Sequence, residues 1–175
     1  MLNNDVLRSV RFSLDASDAR VAEIIRLSGG EVDKDEVSAL LKKDDEEGYR
    51  ECSDQLLAHF LNGLVLYLRG PDENRPLRPI ELPVTNNLVL KKLRVAFELQ
   101  DDDMHAILRA AGLTVSKPEL SALFRKPGSK NYRACGDQLL RNFLKGLSET
   151  RRGSAPVRPI RGGQSGASPP VDKTS

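Results

Sequence analysis

Apolar residues recur along the first 70 positions at intervals of three and four, the spacing of one face of an α-helix. Val6, Leu7, Val10 and Leu14 mark a first helix, with Asn4 placed as its N-cap. Val21, Ile24 and Ile25 mark a second, which follows Asp18 and stops at Gly29, a residue that tolerates positive φ. Asp33-Lys34-Asp35-Glu36 has the chemistry of a capped helix start, and Val37, Leu40 and Leu41 supply the face behind it. Leu56, Leu57, Phe60, Leu61, Leu64 and Val65 form the stripe of a fourth and longest helix.

The same pattern then returns 83 residues later without a gap, and 27 of the 62 positions from Asn3 to Leu64 are identical in the second copy. Asn87 precedes Val89, Leu90, Leu93 and Phe97; Asp101 precedes Met104, Ile107 and Leu108; Gly112 ends that helix. Ser116-Lys117-Pro118-Glu119 is a capping box with proline in the first turn, where its missing N–H costs nothing. Leu139, Leu140, Phe143, Leu144 and Leu147 repeat the last stripe. Gly63 and Gly146 lie inside these final helices, where glycine costs about 1 kcal/mol relative to alanine. Retention in both copies predicts that another backbone approaches there. No segment alternates with period two long enough to predict a sheet.

The fold class is therefore all-α, a tandem duplication of a four-helix unit: residues 1–68 and 85–149, joined by a proline-rich linker at 69–84 and followed by a basic, disordered tail at 150–175. A unit this small buries only about 60% of the surface its unfolded chain exposes. The two copies are accordingly expected to pack together. The pattern Asn-Asn-x-Val-Leu-(x)3-Arg, followed by Tyr-Arg-x-Cys-x-Asp-Gln-(x)4-Phe-Leu-x-Gly-Leu, resembles the YehS-type bacterial proteins over roughly residues 1–148. That resemblance implies a small cytoplasmic helical protein of unknown function and brings no catalytic or binding residues with it.

Charge changes this picture more than composition does. Residues 1–70 carry 9 Lys/Arg against 14 Asp/Glu, whereas residues 85–149 carry 11 against 7. The first copy is acidic and the second basic, which favours their docking or turns the basic half toward a polyanion. No apolar run approaches the ~18 residues of a membrane span, and the N-terminus lacks the basic and apolar regions of a signal peptide. A cytoplasmic location is expected. Cys52 and Cys135 are repeat equivalents, read as buried members of their own copies rather than as a disulfide or a metal pair.

Several polar residues persist in both copies, among them Asn4/Asn87, Arg11/Arg94, Tyr49/Tyr132, Arg50/Arg133 and Asp54/Asp137. The structural reading gives Asn4 and Asp54 to helix N-termini and pairs Arg11 with Asp54 across the bundle. The functional reading places Tyr49, Arg50 and their equivalents in a ligand groove. Arg125, Lys126, Lys130, Tyr132 and Arg133 surround Pro127-Gly128-Ser129, interleaving cations with an aromatic ring as phosphate contact and base stacking require. Arg141, Lys145, Arg151, Arg152, Arg158 and Arg161 extend the positive charge. The first copy has Asp44-Asp45-Glu46-Glu47 at the equivalent loop, which repels phosphate.

Other chemistries are poorly served. Residues 101–126 can be laid out as helix, turn, helix, but the turn is long and the second helix offers few groups for base edges. Cys52 and His59 stand about 10 Å apart along a helix axis, too far for a nucleophile and its base. The acidic runs lack the spacing of a calcium loop. The sequence predicts no catalytic residue, metal or cofactor, no membrane partner and no small-molecule substrate. It predicts a binding or adaptor module for a macromolecular partner, protein or nucleic acid.

Overall fold

The computed structural model describes residues 1–71 and 78–153. Among them are eight helices and no strand: α1 (Asn3–Leu14), α2 (Asp18–Leu27), α3 (Lys34–Leu40), α4 (Asp54–Arg69), α5 (Asn86–Ala96), α6 (Asp101–Ala110), α7 (Lys117–Leu123) and α8 (Asp137–Gly153). Local chemistry sets most of the starts. Ser17, Ser53 and Thr85 each accept a hydrogen bond from the third amide beyond them, which satisfies a donor that the helix itself leaves unpaired. Both predicted capping boxes form, Asp33 with Glu36 and Ser116 with Glu119. Gly29 and Gly112 follow the ends of α2 and α6 at φ of 95° and 85°.

Helix α8 continues to Gly153, so residues 150–153 belong to it rather than to the tail. The expected tail from residue 154 onward, with Arg158 and Arg161, lies outside the described residues, as do 72–77 of the expected linker. The described remainder of the linker is held in place. Asn62 is 7% exposed, and its amide donates to the carbonyls of Arg78 and Pro79 at 3.2 and 3.3 Å. Lys92 meets Glu81 at 3.3 Å.

The two copies share one core, and they share it reciprocally. Within each copy the second helix crosses the last, α2 on α4 and α6 on α8. The first helix of each copy instead packs chiefly on the last helix of the other, α1 on α8 and α5 on α4. A single cluster of buried side chains therefore runs from Val6 to Leu147, with Phe60 and Phe143 at 0% exposure. The glycine expectation is met at both crossings. A Cβ on Gly63 would stand 1.8 Å from the Ile24 carbonyl oxygen, and one on Gly146 would stand 1.9 Å from that of Ile107.

Equivalent polar ties close the reciprocal interface. Asp54 accepts from Asn3 of its own copy at 2.8 Å and from the amide of Val84, the linker residue that leads into the second copy, at 3.0 Å. Asp137 accepts from Asn86 at 2.8 Å and from the Met1 ammonium at 2.8 Å. Arg69, ending α4, donates to the Val95 carbonyl at 3.3 Å, while Arg152, near the end of α8, donates to the Phe12 carbonyl at 2.8 Å. Arg152 also lies over the Phe12 ring at 4.2 Å.

Candidate macromolecular interface

Two equivalent loops carry the chemistry singled out in the sequence, one between α3 and α4 and one between α7 and α8. They share a backbone frame. The amides of Arg50 and Arg133 donate to the Ala39 and Ala122 carbonyls at 3.1 Å in both copies. Tyr49 donates its amide to Glu46 and Tyr132 to Ser129, each at 3.2 Å. Residues 43–46 and 126–129 are turns closed at 3.0 Å. In the second copy Pro127 and Gly128, the latter at φ 86°, have the residue chemistry of a type II turn.

The persistent asparagines anchor these loops to the first helices, which corrects the capping role expected for them. Leu2 and Thr85 occupy the N-cap positions. Asn4 is 0% exposed and donates to the Leu40 and Arg50 carbonyls at 2.9 and 2.8 Å. Its oxygen accepts the Cys52 amide at 2.9 Å and the Tyr49 hydroxyl at 3.1 Å. Asn87 repeats three of these bonds, to Leu123, Arg133 and the Cys135 amide, at 3.0, 2.9 and 2.8 Å. Asn side chains suit this task because one amide group offers two donors and an acceptor.

The fourth bond marks where the copies part. Tyr132 makes no hydrogen bond through its hydroxyl among the described residues, and Asn87 is half-buried rather than sealed. Lys42 extends along its loop to donate to the Glu47 carbonyl at 2.8 Å. Arg125, its equivalent, is exposed and pairs with nothing among the described residues, and the same holds for Lys126 and Lys130. Arg133 meets Glu119 at 3.3 Å across an exposed surface, as Arg50 meets Glu36 at 3.5 Å. Exposed pairs of this kind contribute about 0–1 kcal/mol. Burial, and then the nearby Glu51 and Asp44 carboxylates, push the Tyr49 ionisation up from its ordinary value.

The structure places the remaining candidates elsewhere. Arg11 does not reach Asp54, which is occupied by Asn3 and Val84. Arg11 instead closes its own α1–α2 connection, donating to the Ala16 carbonyl at 3.0 Å and approaching Asp18 at 3.7 Å. Arg94 does the same with Leu99 at 3.1 Å and Asp101 at 2.5 Å, and it lies over the Phe124 ring at 4.7 Å. A guanidinium bonding locally in this way satisfies the carbonyl left by the turn, a nearer partner than the opposite helix. Asp54 and Asp137 begin α4 and α8 and tie the two copies together. Arg141 and Lys145 remain exposed on α8. Arg151 crosses to the first copy by donating to the Ser13 carbonyl at 3.3 Å and lies over the Phe97 ring of its own copy at 4.7 Å, and Arg152 is drawn onto Phe12.

Cys52 and Cys135 are free thiols at 3% and 5% exposure. Burial pushes Cys52 up to about 12 and Cys135 up to about 11, so both are protonated near neutral pH and unsuited to attack. His59 turns toward Ser28, whose hydroxyl lies 3.0 Å from Nδ1 and donates to the His59 carbonyl at 2.7 Å. A buried serine beside histidine was not legible in the sequence, because the second copy has Ala111 and Asn142 at these positions. The Ser28 hydroxyl is committed to backbone carbonyls. An open depression is lined by Leu14, Asp15, Ala16, Ser17, Arg20 and Tyr67, with Arg20 5.4 Å over the Tyr67 ring. Among the described residues, no group of three His, Cys, Asp or Glu is placed to hold a metal, and no helix is long and apolar enough to cross a membrane.

Comparison with known proteins agrees with the duplication. The family described as "Protein of unknown function (DUF1456)" matches residues 3–70 and again 86–153. The chain is 47% identical over 148 residues to "Uncharacterized protein YehS" of Escherichia coli (strain K12), covering 85% of this chain and 95% of that protein. No solved structure matches. Two matched repeats, each folded as the same four helices, make this chain a member of the DUF1456 family.

Proposed function

We propose that this protein is a non-catalytic, cytoplasmic binding module, in which the first copy serves chiefly as scaffold and the loop between α7 and α8 receives a macromolecular partner. One observation carries this reading. The shared polar residues hold the fold in both copies, but the second loop leaves Arg125, Lys126, Lys130 and the Tyr132 hydroxyl without partners among the described residues. Lys42 is bonded to the Glu47 carbonyl and Tyr49 to the Asn4 side chain, whereas their equivalents Arg125 and Tyr132 make no such bond among the described residues. Neither a membrane nor a small-molecule substrate enters the proposal.

The expected result is that tagged full-length protein retains a partner from native extract. Lys126→Glu combined with Arg133→Glu abolishes retention without lowering the melting temperature by more than a degree or two. Retention that survives the double substitution removes the loop from the reading. A second reading, nucleic-acid association, is favoured by the absence of any carboxylate between Glu119 and Asp137. On that reading, nuclease treatment before capture eliminates the retained material.

A further inference from the structure

We infer that the occupant of the α7–α8 loop is a single-stranded polynucleotide, its phosphates on Arg125, Lys126 and Lys130 and one base against Tyr132. The inference rests on the reading that this loop is the binding surface. Three features of the loop point the same way. The cations are exposed and make no ion pair among the described residues, so no internal carboxylate must be displaced when phosphate arrives. The run Asp44-Asp45-Glu46-Glu47 is replaced by Pro127-Gly128-Ser129-Lys130, which exchanges four negative charges for one positive on the same backbone frame. Tyr132 makes no counterpart of the hydroxyl bond that fixes Tyr49 to Asn4 at 3.1 Å, and its half-buried aromatic side chain stands two residues after Lys130. Cations that follow a phosphate backbone and a ring that stacks on any base are the elements of single-strand binding.

A duplex fits this surface less well. Reading a major groove takes an inserted helix with side chains for base edges. Helix α7 is seven residues long, and its first turn is occupied by Pro118 and by Glu119, which is bonded back to the Ser116 amide at 2.8 Å. Arg125, Lys126 and Lys130 lie on the exposed loop that follows, not on a helix that could enter a groove. An acidic peptide would satisfy the cations and leave Tyr132 without a role.

The test is fluorescence anisotropy of full-length protein with labelled 12-mer oligouridylate, 12-mer oligodeoxythymidylate, a 12-base-pair duplex and polyglutamate. Both single strands are expected to bind more tightly than the duplex or polyglutamate, and their ratio tells RNA from DNA. Three phosphate contacts predict a loss of about 20-fold in affinity when salt rises fourfold. Tyr132→Leu should weaken binding about tenfold. Tyr49→Leu should leave affinity unchanged while lowering the melting temperature, and Lys126→Glu with Lys130→Glu should abolish binding at an unchanged melting temperature. Duplex or polyglutamate binding equal to the single strands, or indifference to Tyr132→Leu in a variant that melts normally, overturns the inference. If no probe binds while the double-glutamate variant still loses the partner captured from extract, the inference falls and the loop reading stands. If neither probe binding nor capture responds to that variant, both fall.

Discussion

The α3–α4 and α7–α8 loops are one backbone design with two fates. Each is closed by the same turns and anchored by an asparagine to the first helix of its own copy. In the first copy, Lys42 and Tyr49 bond inward and Asn4 is sealed. In the second, Arg125 and Tyr132 have let go and Asn87 is partly open. The difference separates what the fold needs from what it only tolerates. Interior amide bonds recur in both copies because a buried unsatisfied group costs about 1–3 kcal/mol. The outward groups differ because nothing in the core depends on them.

The sharpest way to break the comparison is at the helix crossings, where the copies should behave alike. Gly63→Ala and Gly146→Ala each force a methyl against a backbone carbonyl that cannot rotate away. Each should cost about 3 kcal/mol or more, at the upper end of overpacking effects. For a chain of this size that lowers the melting temperature by roughly 6–12 °C, readable by circular dichroism. A large effect at one glycine and none at the other would show that the crossings are not equivalent.

The asparagines should separate the copies. Asn4→Ala leaves the Cys52 amide and the Leu40 carbonyl buried without partners, a loss of about 3 kcal/mol. Asn87→Ala makes the same deletion where water can enter, and about half that loss is expected. Equal losses in urea melts would mean that the second loop is as closed as the first.

The smallest effect concerns acid. The Asn3 amide and then the Val84 N–H hold the Asp54 carboxyl below the ordinary carboxylate range. For Asp137 the Met1 ammonium leads and Asn86 follows. A carboxyl depressed in the folded state contributes in full above its unfolded value, about 4 for aspartate. That contribution disappears as pH falls through the folded value. Melting temperature should therefore decline below about pH 4, and Asp54→Asn should flatten part of that decline while lowering stability at neutral pH. An unchanged acid limb would remove Asp54 from the inter-copy tie.

Much of this molecule was legible because it is written in local chemistry. Helix spacing, the Asp33 and Ser116 capping boxes and the glycines after α2 and α6 depend on residues within a turn of one another. Gly63 and Gly146 were legible because a helix interior that keeps glycine twice signals a close approach. The reciprocal packing was not, since an apolar stripe states which face is covered and not which helix covers it. The role of Asn4 is hidden for a related reason: an asparagine near a helix start fits a cap as well as an inward staple, and its partners lie 36 to 48 residues away. Charge pairing alone points Arg11 to the distant Asp54 carboxylate, but the nearer Ala16 carbonyl satisfies it. At the candidate interface the positions of the cations followed from sequence. Their release did not, because Lys42 and Arg125 each carry one positive charge, and whether the side chain finds a carbonyl depends on the loop around it.

The exchange of first helices has a consequence for how such loops can diverge. Were the same eight-helix body assembled from two identical subunits, every substitution would appear twice, and an acidic loop could never face the solvent opposite a basic one. Covalent fusion lifts that restriction. It also fixes a one-to-one ratio of unlike halves at a high local concentration, so the acidic half always meets the basic half before either meets its own kind.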